Sequence, residues 1–361
     1  MWVSRILAIN PGSTSTKISV FEDHREIFTE NVLHDYEELK AFSKVIDQEE
    51  LRYKAIKEAL FKRGLNFSDF DVIAARGGIL RPVRAGVYAI NELMLTDLKD
   101  AVAGEHASNV AAFIAKRISE NFDIPAYVID PVSVDEMEEV ARISGLAGIE
   151  RKSLSHALNI RRVIFSTAEK YGFSFKEKNF IVAHLGGGIS IAAVRKGRMV
   201  DVDSANCEGP FSPERAGGLP ILELVELCYS GKYTKDEMIK KLIQEGGIYS
   251  YLETKDVKEV EERAKSGDNR ARLILEAMIY QIAKTIGEMA TVLKGKVDYI
   301  ILTGGIAKSE YICEKIRGRV GFIAKVERVP GEEEMLALAE AALRVINGIE
   351  KVQVYGGDYV D

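Results

Sequence analysis

Short apolar runs that close in small, polar turns recur along this chain, separated by longer stretches with apolar residues at helical spacing. The first run, ILAINPGSTSTKISVF (6–21), enters the turn Asn-Pro-Gly-Ser-Thr-Ser-Thr-Lys and leaves it in a second apolar run. That order predicts strand, tight turn, strand. FIVAHLGGGISIAAVRKGRMVDV (180–202) repeats the pattern around Gly186, Gly187 and Gly188, and Arg195-Lys196-Gly197 reads as a further turn. VDYIILTGGIAKSEYICEKI (297–316) has a strand, Gly304-Gly305 and then a helical pattern. The first two turns lie about half a chain apart, as expected of a duplicated domain.

Helical periodicity covers 37–63, 91–103, 109–120, 154–171, 219–229, 236–243, 256–264, 270–293 and 332–346, with Ser108 as a plausible N-cap. DVIAA (71–75) and AYVI (126–129) read as short buried strands. The expected class is therefore α/β, with a boundary near Glu150. One domain spans 1–150 plus a C-terminal segment from about 335 to 361, and the other spans 151–334.

Composition narrows the function. At 361 residues the chain is long for one ordinary domain and comfortable for two. A net charge of −6 gives no broad basic footprint for nucleic acid. No apolar run reaches the ~18 residues of a membrane span, and the N-terminal segment lacks a signal-peptide apolar core. Cys207, Cys228 and Cys313 are scattered, with neither metal-ligand spacing nor a disulfide framework. These features suit a cytoplasmic protein acting on small molecules.

The first turn has the chemistry of a phosphate seat. Gly12 permits close backbone approach, Ser13 to Thr16 offer hydroxyls and N–H groups, and Lys17 adds a cation. It is not the loop GxxxxGK[ST], and no helix start follows it. Polar residues also sit at strand ends, where open α/β sheets place ligands: Arg76 after DVIAA, Asp130 after AYVI, His184 after IVA. His106 (GEHASN), His156 (LSHALN) and Arg215 (SPERAGGLP) join them, although a surface arginine, a turn aspartate, a core histidine or a helix cap is an alternative at each place. GxSxG and HExxH are missing, and no general base stands out. A kinase acting on an alcohol wants a carboxylate base. An acceptor that is already an anion does not. Its difficulty is repulsion from the phosphates, which cations answer.

LAINPGSTSTK and IVAHLGGGISIAAVRKG resemble, position by position, the two signature segments of the acetate and butyrate kinase family, and LTGGIAKS is similar to the adenosine segment of its superfamily. The resemblance covers nearly the whole chain. NPGSTSTK, HLGGGIS, ARGGILRP and GEHASN are closer to the butyrate branch than the NAGSSSLK and HLGNGSS usual in acetate kinases.

The resemblance implies two actin-like, ribonuclease H-like domains with a nucleotide cleft between them. It implies reversible, direct in-line transfer between ATP and butanoate, giving ADP and butanoyl phosphate, with Mg²⁺ and a homo-oligomer built from dimers. By the same resemblance Asn10, Ser13, Ser15 and Lys17 lie by the transferred phosphoryl, and His184, Gly186, Gly187, Gly188 and Ser190 face the β- and γ-phosphates. Gly304, Gly305 and Ile306 line the adenosine, and Asp130 and Glu333 hold the metal. Arg76, Arg215, His106 and His156 complete the set.

Three departures stand out. Lys152 occupies the place of a family histidine in the segment ending at His156. Arg76, Arg81 and Arg84 compete for the carboxylate, with Arg76 preferred, and the register among Glu332, Glu333 and Glu334 is open by one. Acetate, propanoate or a branched acid is the nearest alternative acceptor. An actin-like or chaperone-like ATPase is the alternative of another class.

Overall fold

The structure is a computed structural model and describes residues 3–356. Its strands run in the order β1 (Arg5–Pro11), β2 (Ser15–Glu22), β3 (Arg25–Leu33), β4 (Val72–Arg76), β5 (Val87–Ala89), β6 (Ala126–Ile129), β7 (Asn179–Leu185), β8 (Ile189–Arg195), β9 (Arg198–Val202), β10 (Tyr299–Gly304), β11 (Lys325–Pro330) and β12 (Val352–Val354). The chain divides into two compact units: Met1–Asp135, Ala157–Arg162 and Glu333–Asp361 in one, Glu136–His156 and Val163–Glu332 in the other. Residues 136–150, expected in the first domain, group with the second unit. The Glu138 N–H donates to Val200 O, and Glu136 Oε2 accepts from the Met199 N–H.

The first unit holds a seven-stranded sheet in the order β12-β5-β6-β4-β1-β2-β3, and the second a five-stranded sheet in the order β11-β10-β7-β8-β9. A common plan underlies both. Strands β3-β2-β1 and β9-β8-β7 are antiparallel neighbours. Strands β1-β4-β6 and β7-β10-β11 continue each sheet in parallel. The duplication read from the two glycine turns is thus repeated in the topology. In the first unit β5, antiparallel to β6, and β12 extend the shared plan.

Central strands buried on both faces read as unbroken apolar runs. Ile6, Leu7, Ala8 and Ile9 of β1, and Phe180, Ile181, Val182 and Ala183 of β7, have no accessible surface. Helix Glu334–Ile346 presents Met335, Leu338, Ala339 and Ala342 to the first sheet, with Leu158 in the same cluster. Helix Asn269–Val292 lays Leu275, Met278, Ile282 and Ile286 on the second. Between β8 and β9, Lys196 and Gly197 both have positive φ, 51° and 84°, the backbone that a two-residue hairpin turn requires.

The single helix expected over 37–63 is broken in two. Helix Tyr36–Lys40 is followed by a 3-10 turn, Val45–Gln48, and then helix Glu49–Phe61. Local polar contacts compete with the helix there. Asp47 Oδ2 accepts from the Lys44 N–H and the Ser43 hydroxyl, and the Val45 N–H donates to Glu105. Ser108 stands at the N-cap position of helix Asn109–Phe122, but its hydroxyl bonds His106 Nδ1 instead of the helix backbone.

Candidate active site

In the second unit, the β7–β8 hairpin aligns His184 with Ser190 across the strands and leaves Gly186, Gly187 and Gly188 in the turn, closed by the Gly186 N–H donating to Gly188 O. His184 is 1% exposed, and its Nε2 lies 2.7 Å from Glu332 Oε1. His156, just before helix Ala157–Tyr171, stacks on it with ring centroids 3.7 Å apart and places Nδ1 2.9 Å from Ser190 Oγ. The hydrogen bond from His184 holds the Glu332 carboxyl below the usual range, burial opposes this, and the charges of His184 and His156 add to the lowering.

Two of the three turn glycines make room for charged side chains. A Cβ on Gly186 would lie 2.6 Å from Glu332 Oε1 and 3.1 Å from His184 Nε2. On Gly188 it would lie 2.5 Å from Arg215 Nη1. The Arg215 guanidinium donates through Nη1 to Ala205 O and Asn206 Oδ1, both at 2.9 Å. Its Nε is buried without a hydrogen-bond partner. Ser212 joins the two parts: its hydroxyl donates to Gly187 O and accepts from the Arg215 N–H. Lys152 is exposed on the segment leading to His156.

Beside the glycine turn opens a cavity of about 900 Å³, lined by Gly187, Gly305, Ile306, Tyr311, Lys258 and Glu332 among others. That is the size of a site for a nucleotide-sized ligand. Gly304 has φ 90°, and a Cβ there would lie 2.4 Å from Leu185 O, so only glycine lets β10 end this close to β7. A Cβ on Gly305 would meet nothing within 4 Å, which leaves open space beside Ile306.

In the first unit, Asn10 is the penultimate residue of β1 and Arg76 ends its parallel neighbour β4. Asn10 Nδ2 donates to Glu334 Oε2 at 2.9 Å, and Arg76 Nη2 lies 3.8 Å from Glu334 Oε1. The Nη1 of Arg76 is buried with no hydrogen-bond partner. Gly78 packs directly on Asn109, whose Oδ1 accepts from the Ile79 N–H and whose Nδ2 donates to Gly104 O. This ties the segment after Arg76 to the loop carrying His106. Burial, and secondarily the Arg76 charge, lowers the His106 pKa. Ser13 and Lys17 are exposed and Ser15 half-buried. The other two arginines differ from Arg76. Arg81 forks onto Asp97, which also accepts from the Tyr355 hydroxyl, while Arg84 lies on an exposed loop.

Asp130 and Glu333 do not fit a bound divalent cation as they stand. Asp130 is 1% exposed, and both its oxygens accept from Arg161, one also from the Gly86 N–H. Glu333 is ion-paired with Arg162. Among the described residues no group of three His, Cys, Asp or Glu side chains is placed to hold a metal. Sequence reasoning did not find the partners Glu332, Asn206 and Arg161 in their observed roles. Glu332 stood only as one of three adjacent glutamates, and nothing local to the sequence distinguishes the one that reaches His184.

Two α/β units of common topology, one carrying a glycine turn beside a nucleotide-sized cavity, make up a fold shared with solved acid kinases. Porphyromonas gingivalis acetate kinase shares the fold, with a TM-score of 0.75 at 19% identity, covering 95% of this chain and 100% of that one. A propionate kinase from Francisella tularensis is similarly related, with a TM-score of 0.73 at 18% identity, covering 94% and 98%. Residues 148–326 match the Acetokinase family. A protein described as probable butyrate kinase 2, from Caldanaerobacter subterraneus subsp. tengcongensis, is 51% identical over 352 residues, 98% of this chain and 99% of its own. The chain belongs to the acetokinase family.

Proposed function

We propose that this protein is a butyrate kinase, which transfers the γ-phosphoryl of MgATP reversibly to butanoate and forms butanoyl phosphate and ADP. This reading is supported by the 51% identity over 98% of the chain to a probable butyrate kinase, and the site adds buried guanidinium nitrogens, Arg76 Nη1 and Arg215 Nε, each without a protein acceptor. A buried donor left unpaired is costly, and an anionic ligand removes that cost. An acceptor that arrives as a carboxylate needs no base, only relief of charge repulsion in the transition state.

In this reading transfer is direct and in line. Arg76 and Arg215 hold the carboxylate and the moving phosphoryl through charge-assisted hydrogen bonds. Asn10, Ser13, Ser15 and Lys17 serve the phosphoryl, Gly186 to Gly188 and Ser190 the nucleotide phosphates, and Gly304, Gly305 and Ile306 the adenosine. His184 acts with its ring fixed by Glu332. His106, His156 and Lys152 contribute neighbouring donors or charge. The metal enters as part of the substrate MgATP, bound to its phosphates rather than to Asp130. A cytoplasmic location and a homo-oligomer built from dimers belong to the same reading. Ile221, Leu222 and Tyr229 of helix Ile221–Tyr229 are 72%, 78% and 87% exposed and supply an apolar face that self-association would cover.

Trapping the acyl phosphate with hydroxylamine tests the reaction. The protein is incubated with MgATP and, separately, acetate, propanoate, butanoate, 2-methylpropanoate or glucose. Hydroxamate from butanoate well above acetate is the expected result. Acetate in the lead would move the protein to a sister acid kinase, because one methylene is worth only about 1–3 kcal/mol of discrimination. ATP hydrolysis without hydroxamate from any acid would sink the reading in favour of an actin-like or chaperone-like ATPase.

A further inference from the structure

Behind the first turn lies a buried cation that no acid neutralises. Arg52, on helix Glu49–Phe61, has no accessible surface. Its guanidinium donates through Nε and Nη2 to Gln48 Oε1, through Nη1 to Ser15 O and Thr16 Oγ1 at 2.9 Å each, and through Nη2 to Ser13 O. Every one of these acceptors is neutral. Among the described residues no carboxylate oxygen lies within ion-pairing distance of it. A titratable group near it is His34, whose Nε2 lies 2.8 Å from Thr16 Oγ1 and which burial, then the Arg52 charge, pushes down to about 4. His34 therefore brings no negative charge.

A buried unpaired charge costs several kcal/mol. The fold has used the neighbouring dipoles to lessen that cost, and the direction in which they point is informative. The Ser13 and Ser15 carbonyls turn inward to Arg52, and Ser15 O also takes the Gly12 N–H. The Ser13 and Thr14 N–H groups have no acceptor among the described residues, and both residues are exposed. A turn whose carbonyls are held by a cation and by the chain while successive N–H groups stay unpaired suits an anionic ligand.

We propose that Arg52 is a positioning residue for the phosphoryl seat: it fixes the turn at Ser13 and Thr14, whose N–H groups are unpaired, and its uncompensated charge acts through that turn on the bound phosphoryl. This rests on the kinase reading for the identity of the anion, and the ligand class is a phosphoryl or acyl phosphate group. Arg52 touches no substrate. Its charge is preorganised and needs no rearrangement as negative charge moves during transfer.

The test separates charge from shape in the full-length protein. Arg52→Met removes the charge at similar length, and Arg52→Lys keeps it without the planar fork. Inorganic phosphate binding is measured by calorimetry, and turnover by butanoyl phosphate formation. For Arg52→Met the expectation is at least tenfold weaker phosphate binding, and kcat/KM lower by about 10–100-fold, as for other supporting residues behind a ligand shell. Arg52→Lys should bind phosphate within about threefold of the parent while losing kcat. Phosphate affinity unchanged in Arg52→Met, with only thermal stability reduced, would overturn the proposal. If Arg52→Met does not fold, Arg52→Lys decides, and parental kcat together with parental phosphate affinity, with the fork lost, would overturn the positioning role. If the parent makes no acyl phosphate, the kinase reading fails separately, and the phosphate-binding comparison still judges Arg52.

Discussion

His156 lies face to face with His184, the two rings only 6° from parallel, while the far nitrogen of His184 is held by Glu332. The stack fixes one ring by packing, and the carboxylate fixes its rotation. Glu332 is therefore expected to orient His184 rather than to hold a metal. Glu332→Ala should lower kcat about 10–100-fold, the usual cost of losing a supporting partner, with KM for butanoate within about threefold. Glu332→Gln, which keeps a hydrogen-bonding side chain, should recover part of the loss. A changed KM with unchanged kcat would contradict this role.

The same carboxyl gives a pH effect with a definite sign. Its pKa is lowered in the fold, chiefly by the His184 hydrogen bond. Its contribution to stability is therefore full above the ordinary carboxylate value of 4.5 and is lost as pH falls through the lower folded value. Urea unfolding between pH 6 and 3 should show a shallower acid loss for Glu332→Gln than for the parent. Parallel curves would show that the pair adds no pH-dependent stability.

Arg215 and Gly188 should fail together. Arg215→Ala is expected to lower kcat by about 100-fold or more, as when one preorganised donor is removed. Gly188→Ala leaves every charge in place, but its Cβ would stand 2.5 Å from Arg215 Nη1. It should therefore reproduce most of that loss by displacing the guanidinium. An effect below threefold for Arg215→Ala would remove Arg215 from the chemistry. A fully active Gly188→Ala would show that the arginine tolerates the shift.

The parts of this fold legible in the sequence are those whose pattern is local. The hairpins around Gly12 and Gly187, the strand before Gly304 and the long helix before it all carry their own periodicity. Strands β3, β5, β11 and β12 were not expected. β3 has no fully buried residue, and its half-buried positions, Phe28, Glu30 and Val32, mix apolar with charged side chains, while β5 and β12 are only three residues each, too short to show a period. The site divides similarly. Arg76, His184 and Arg215 were visible as polar residues beside glycines or at strand ends. The Arg52 cation on the turn and the Arg161 clamp on Asp130 join residues more than thirty positions apart, and helical spacing alone reads Arg52 as one more charge on a surface helix.

Asp130→Asn separates a metal ligand from a structural ion pair. Arg161 joins Asp130 to Glu350, and Arg344 also binds Glu350, so removing one carboxylate leaves buried guanidinium charge uncompensated. Breaking such a pair costs about 3–5 kcal/mol. The expected result is a large loss of stability in urea unfolding, with the Mg²⁺ concentration for half-maximal activity unchanged in the protein that remains folded. A metal requirement raised tenfold or more, at parental stability, would instead make Asp130 a metal ligand.

Asp203 offers the opposite pH sign. It lies in the segment just before Ala205 and Asn206, which seat Arg215, and it is 6% exposed with Oδ2 unpartnered. Arg151 Nη2 approaches its other oxygen only to 3.7 Å. Burial dominates and pushes the carboxyl up from 3.8 to about 7, Arg151 opposes this, and Glu208, Glu288 and Asp201 add to the rise. A folded pKa above the unfolded value in an acid means that the folded state binds more protons between the two. Stability therefore falls as pH rises from about 4 to about 7, and the full cost is present above that window. At about 1.4 kcal/mol per pKa unit the cost is on the order of 4 kcal/mol at most. Asp203→Asn removes the ionisation, and it should stabilise the protein by about 1–3 kcal/mol at pH 8 and flatten its stability between pH 5 and 7. Equal stability of the two proteins at pH 8, or an unchanged slope below it, would mean that the Asp203 carboxylate is solvated well enough to ionise at no cost.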